Sequence, residues 1–239
     1  MASNEKIYVR NIRKDLGIFP NWPTYRQIGL GEVGYYNGRK AQFDWRTSLN
    51  DLKINFERNE VGGAASDMYT SRGSVQHSFN ANLSDGSSAN FKFSKKNLVA
   101  TQGYDVSHQT IKIDQLENEL RSKIANKEIE WNYDWVILSQ IWHTVGFTLL
   151  ISRSNDASIE IVAGNNFMGD VFNIADVNLG LEHRASKNMS HQVVAKRNPN
   201  PFFQIHRFTK KGNLELYGNY NLIQIEKMWD TFRTGIWPK

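Results

Sequence analysis

Cysteine is absent from all 239 residues. That excludes disulfides, thiol catalysis, palmitoylation and prenylation. Proline is scarce, with five in the chain, and no Pro/Gly/Ser-rich linker or block of like charge divides it. A single domain over residues 1–239 is the expectation, long enough to bury one substantial core. No apolar run opens the sequence: Met1 to Asp15 is polar and charged, so no signal peptide is read there. Ala2 replaces the glycine that N-myristoylation requires. The predicted location is the cytosol.

Chemistry-bearing motifs are equally sparse. The six histidines never stand four apart, so no helical metal motif forms, and no P-loop, Gly-x-Ser-x-Gly elbow or kinase signature is present. Gly29-Leu30-Gly31-Glu32-Val33-Gly34 spells a dinucleotide fingerprint, but Tyr35-Tyr36-Asn37-Gly38 follows it. A strand entering a turn stands where a helix N-terminus would have to hold the pyrophosphate. No cofactor, no metal and no catalytic residue is predicted, and an enzyme is not expected. A site assembled in space from scattered carboxylates or histidines, as in a hydrolase, stays open as an alternative. Trp131, Tyr133, Trp135 and Trp142 lie among apolar residues and read as core rather than as base-stacking positions, so no nucleic acid is predicted.

Only Trp135 to Ser152 lacks Asp, Glu, Lys and Arg over eighteen residues. Ser139, Gln140, His143, Thr144, Gly146 and Thr148 interrupt it, and it is rich in β-branched and aromatic residues. Two buried strands meeting near Gly146 are predicted rather than a transmembrane helix.

What the chain does have is alternation. Val75, His77, Phe79, Ala81 and Leu83 share one strand face, with Gln76, Ser78, Asn80 and Asn82 on the other. After a turn at Asp85-Gly86, Ala89, Phe91 and Phe93 alternate with Asn90 and Lys92. This is a hairpin with one apolar and one polar face. Such a hairpin suits a half-buried sheet on a soluble core, or a strand pair facing lipid on one side and water on the other. A second alternating pair follows at Ser158–Ala163, through Ile159 and Ile161, and at Val177, Leu179, Leu181 and His183. A short helix is predicted between them, around Phe167 to Phe172.

Elsewhere, Leu52, Ile54 and Phe56 suggest a strand, and Val61 to Gly73 a mobile loop or marginal helix. Asn37-Gly38 reads as a tight turn between Val33–Tyr36 and Lys40–Trp45. Ile113 to Lys127 reads as a helix with Asp114 and Glu117 as a capping box, Phe202 to Phe208 as a strand, and Leu222 to Phe232 as an amphipathic helix. Asn4 to Leu16 reads as a helix capped by Ser3 and Gly17, with Lys6, Arg10, Arg13 and Lys14 clustered on one side. Net charge is +5. A basic amphipathic helix is a membrane-surface signature, and also the ordinary look of a docked surface helix.

The order of these parts resembles the pore-forming domain of gasdermins. The likeness is carried by Trp135-Val136-Ile137-Leu138 through Leu150-Ile151-Ser152-Arg153-Ser154, by Ile159-Glu160-Ile161, and by Leu179-Gly180-Leu181 through Val193-Val194-Ala195 to Asn200-Pro201-Phe202-Phe203. It spans roughly Gly29 to Arg207. Within the family the chain looks most like the fungal regulator-of-cell-death proteins, which lack a large C-terminal repressor domain; here the sequence stops soon after Trp229.

The resemblance implies an α+β fold with a twisted, mostly antiparallel sheet and packed helices. It implies a cell-death effector that moves from the cytoplasm to the plasma membrane, binds acidic phospholipids and oligomerises with itself or a related chain. Each subunit would insert two β-hairpins. Lys6, Arg10, Arg13 and Lys14 would meet headgroups. Val75, Phe79, Leu83, Phe91, Phe93, Ile159, Ile161, Leu179 and Leu181 would enter lipid. The missing cysteine departs from bacterial relatives, which often carry an acylated one, and no proteolytic site stands out. Activation by a partner or an allelic form is therefore expected over cleavage. The alternative is a non-inserting lipid- or ligand-binding module.

Overall fold

The computed structural model describes residues 3–24, 26–38, 42–62, 66–71, 75–82, 86–163, 174–176 and 181–218. Its spine is β9 (Val136–Ser152), a single strand of 17 residues that runs roughly 55 Å at about 3.3 Å per residue. The predicted break at Gly146 does not occur. Gly146 pairs with Tyr104 on one side and Arg197 on the other, so both ladders hold it extended. The chain accommodates it with a bulge in the neighbouring strand, between Val193 and Lys196.

Both edges of β9 are occupied. Along one lie β2 (Glu32–Asn37) and then β8 (Val99–Ile111). Along the other lie β13 (Phe202–Phe208) and then β12 (Met189–Arg197). β3 (Gln42–Ser48) pairs with β2, β1 (Phe19–Pro20) and β14 (Leu214–Leu216) pair with β13, and β4 (Arg58–Val61) and β5 (Ser66–Thr70) extend β8 outward. These ten strands form one antiparallel sheet. A second, four-stranded antiparallel sheet contains β6 (Val75–Asn82), β7 (Gly86–Phe93), β10 (Ser158–Ala163) and β11 (Leu181–Lys187), in the order β11-β10-β7-β6. With two helices among the described residues, α1 (Asn4–Leu16) and α2 (Ile113–Ala125), the fold is α+β with a twisted antiparallel sheet, as the sequence predicts.

Several local expectations need correction. Leu52 to Phe56 is a turn and not a strand: Leu52 N–H donates to Ser48 O, Ile54 N–H to Leu49 O, and Lys53 sits at φ 53°. The alternation there reflects packing alone, since Ile54 is buried and Leu52 and Phe56 lean on the same cluster. The segment predicted as a loop or helix over Val61–Gly73 contains β5, because Tyr69 is buried and the backbone of β8 offers a free edge. α2 is entered from Lys112 with no side-chain cap. Glu117 instead accepts from Leu214 N–H at 2.7 Å and pairs with Arg121, and the helix ends at Ala125, two residues early. Asn37, read as part of the turn, is the last residue of β2 and pairs with Gln42; residues 39–41 lie outside the described residues. The predicted helices around Phe167 and over Leu222–Phe232 lie outside the described residues. No helix among the described residues is long and apolar enough to cross a membrane.

Helix α1 has the predicted bounds. Ser3 Oγ accepts from Lys6 N–H, and Gly17, at φ 70°, donates its N–H to Arg13 O. Its buried residues Ile7, Tyr8, Ile12 and Leu16 join Trp142, Phe147, Leu149 and Ile151 of β9 in one core. Trp131 and Trp142 are buried, as core positions should be, with Trp131 edge-on to Trp135 at 5.4 Å.

Candidate membrane-inserting sheet

The four-stranded sheet is built from two hairpins far apart in sequence. β6–β7 pair in register from Val75↔Phe93 to Asn82↔Gly86, leaving residues 83–85 outside the described chain. β10–β11 pair from Ser158↔Lys187 to Ala163↔Leu181, with a bulge near Arg184. The hairpins are joined through β7 and β10, which set Phe91 opposite Ile159 and Ala89 opposite Ile161. Alternation therefore places Ala89, Phe91, Phe93, Ile159 and Ile161 on one face and Asn90, Lys92, Ser158 and Glu160 on the other.

The apolar face lies against the larger sheet. Ala89, Phe91, Phe93, Ala157, Ile159 and Ile161 form one cluster with Ala100 of β8 and Leu150 of β9, and Val75, Leu181, Met189 and Val194 pack at its margin. Burial weakens outward: Phe91 is buried, while its partner His77 on β6 is exposed, and His183 on β11 is exposed beside buried Ile161. The central strands are clamped and the outer strands overhang. No ladder hydrogen bond joins the two sheets among the described residues.

Buried polar groups supplement the packing. Ile174, just before β11, donates its N–H to Gln102 Oε1 at 3.0 Å and accepts at its carbonyl from Thr148 Oγ1. At the crossings between sheets, small polar side chains gather. Ser152 Oγ accepts from Leu98 N–H and donates to Lys95 O. Asp156 accepts from Ser154 Oγ, Asn188 Nδ2 and Lys187 Nζ, tying the start of β10 to the end of β11.

Helix α1 reaches three of these crossings. Asn11 donates to Asn97 O at 3.1 Å, between β7 and β8, and its Oδ1 accepts from Ser71 Oγ at 3.1 Å, between β5 and β6. Asn4 donates to Ser190 O at 3.0 Å, just beyond β11. On its other side Lys6, Arg10 and Lys14 are exposed. Arg13 is set apart, half-buried with its guanidinium 4.8 Å from the Phe19 ring centroid.

Of the predicted lipid-facing residues, Phe91, Phe93, Ile159 and Ile161 are buried together, with Val75 and Leu181 beside them. Phe79 pairs through its backbone with Ala89; its side chain, like Leu83 and Leu179, lies outside the described residues. The residues that sequence reasoning missed are Asn4, Asn11, Ser71, Asn97, Ser152 and Ser190. Single small polar residues at strand ends carry no pattern, so only their meeting in space marks them. No metal-holding cluster of His, Asp or Glu occurs among the described residues. No protein-family model and no curated protein matches this chain.

Proposed function

We propose that the protein is a membrane pore-former of the gasdermin kind, acting by binding acidic phospholipid, oligomerising and inserting its two hairpins. The observation that carries this reading is the second sheet: two distant amphipathic hairpins collected into one unit, held to the body by side chains and crossings without a shared ladder. Such a unit can leave without breaking the larger sheet's backbone pairing. In lipid its backbone groups stay satisfied only if its outer edges are also paired. β6 and β11 stand at the ends of the strand order with no further strand beside them among the described residues, and offer edges for copies of the same chain. Every neighbour in the order β11-β10-β7-β6 is antiparallel, so β6 of one copy meets β11 of the next in antiparallel sense.

The strands have 8, 8, 6 and 7 residues, short of the about 9–11 that span a bilayer. Insertion therefore requires flanking residues to join the ladder, which the crossings at their ends are placed to supply. Because α1 grips three of those crossings and exposes Lys6, Arg10 and Lys14 on its other side, headgroup binding by α1 is positioned to loosen them.

The test is dye release from vesicles of acidic phospholipid, with the partner or allelic form supplied where the chain alone is inactive. The absence of native cysteine makes an Asn11→Cys/Ser71→Cys pair unambiguous, with bond formation read by thiol titration. Oxidised protein should bind vesicles without releasing dye, and reductant should restore release; release undiminished in the oxidised form refutes the mechanism. Vesicle binding with no release under any condition would identify a non-inserting lipid-binding module instead.

A further inference from the structure

A separate polar cavity of about 310 Å³ opens midway along β9, lined by Gln27, Asp105, Ser107, His143, Val145 and Asn198 among others. It exists because β9 changes partner there. β12 ends at Arg197↔Gly146 and β13 begins at Phe203↔Ile141, so Asn198-Pro199-Asn200-Pro201 bridges the gap, held to β9 by Asn198 N–H to Val145 O and Thr144 N–H to Pro199 O. On the opposite edge Asp105 interrupts β8 at φ 50°, and Asn198 sits at φ 46°. Left-handed conformations at non-glycine residues are sparsely populated and gather at binding sites.

The His143 ring is fixed by its neighbour. Asn200 Oδ1 accepts from Ile28 N–H at 3.5 Å, and its Nδ2 points to Trp142 O at 3.5 Å and to His143 Nδ1 at 2.7 Å. Reversing the amide would lose both backbone contacts, so Nδ2 donates to Nδ1 and the imidazole proton resides on Nε2. Burial lowers the His143 pKa, with Glu60 pulling the opposite way, and the ring is neutral at pH 7. Nε2–H is buried and has no partner among the described residues, although a buried donor left unmatched costs about 1–3 kcal/mol.

Ser107 is the cross-strand partner of His143, which would suit a nucleophile and base. The tautomer argues otherwise: a protonated Nε2 gives a hydrogen bond and cannot take the serine proton. The cavity presents a carboxylate acceptor at Asp105, a hydroxyl at Ser107 and one exposed apolar surface at Val145, with the His143 ring in its wall and Nε2–H closed off from it. No lysine or arginine lines it among the described residues, and the Asp105 carboxylate disfavours phosphate and other anions.

We infer that this cavity binds a neutral polyol ring of hexose or inositol size, taking its hydroxyls on Asp105 and Ser107 and its C–H face on Val145. The ring can come as a free sugar or as the headgroup of a neutral glycolipid, and the inference stands apart from pore formation.

Calorimetric titration of the full chain with glucose, galactose, mannose and myo-inositol tests the first source. Flotation with phosphatidylcholine vesicles containing galactosylceramide tests the second. Saturable binding of at least one ring, at one per chain, is expected. Recruitment to glycolipid vesicles over plain ones assigns a headgroup; binding of free rings alone assigns a soluble sugar.

Asp105→Gly keeps the left-handed backbone that glycine prefers, so its Tm should hold or rise while binding weakens roughly tenfold or more. Ser107→Ala should weaken binding several-fold and serves as a second, structurally mild variant. No saturable binding in either arm, or binding unchanged in both variants, overturns the inference.

Discussion

His206 shows how a single buried residue ties the body of the protein to pH. Its Nδ1 donates to Ser139 Oγ at 2.7 Å, and Ser139 in turn donates to Gln204 O. Burial pushes its pKa from 6.5 down to about 4. In the unfolded chain the ring takes a proton first, so stability is full above pH 6.5 and is lost as pH falls through about 4. The loss should amount to about 3 kcal/mol. Urea unfolding between pH 7 and pH 4 should record it, and His206→Gln should flatten the curve over that window. His108 and His191, also lowered by burial, add to the slope in the same sense.

Among the elements, the two sheets should open at different free energies, since one is threaded on β9 and the other rests on it. Thr148→Val removes the hydroxyl that holds the Ile174 carbonyl and leaves that buried acceptor unmatched, at a cost of about 1–3 kcal/mol. Hydrogen exchange should quicken most in β6, β7, β10 and β11, with β9 and β13 nearly unchanged; uniform quickening would show that the sheets open together.

This division was only half legible in the sequence. Alternation located β6, β7 and β10 and assigned their faces, because period 2 is written in the residues themselves. It misread Leu52–Phe56, where alternating apolar residues pack from a turn, and split β9 at Gly146, whose extended backbone is imposed by partners on both sides. The pairing of β7 with β10 lies about 70 residues away along the chain, beyond any local pattern. Helix α1 was readable to the residue because Ser3 and Gly17 mark its ends chemically. Asn11 was invisible, since its importance depends on Ser71 and Asn97 coming to it.

Over the whole molecule, a net charge of +5 is modest, and the placement of the charge matters more than the sum. Lys6, Arg10 and Lys14 project from α1 while Arg13 covers Phe19. Replacing the three exposed cations by glutamine should weaken partition to acidic vesicles by about 3 kcal/mol, roughly a hundredfold, at about 1 kcal/mol each. Co-sedimentation at rising salt measures this, and the variant should lose most of the salt dependence of the parent. Arg13→Ala should instead lower Tm and change partition little.

The even, alternating order of the small sheet also bears on how an assembly would end. Each added subunit would leave the same pair of free edges that the first one had, so the strands themselves prescribe no count. Closure would fall to the curvature between neighbours, and a part-circle, carrying an unpaired edge at each end, would go on recruiting copies until it closed.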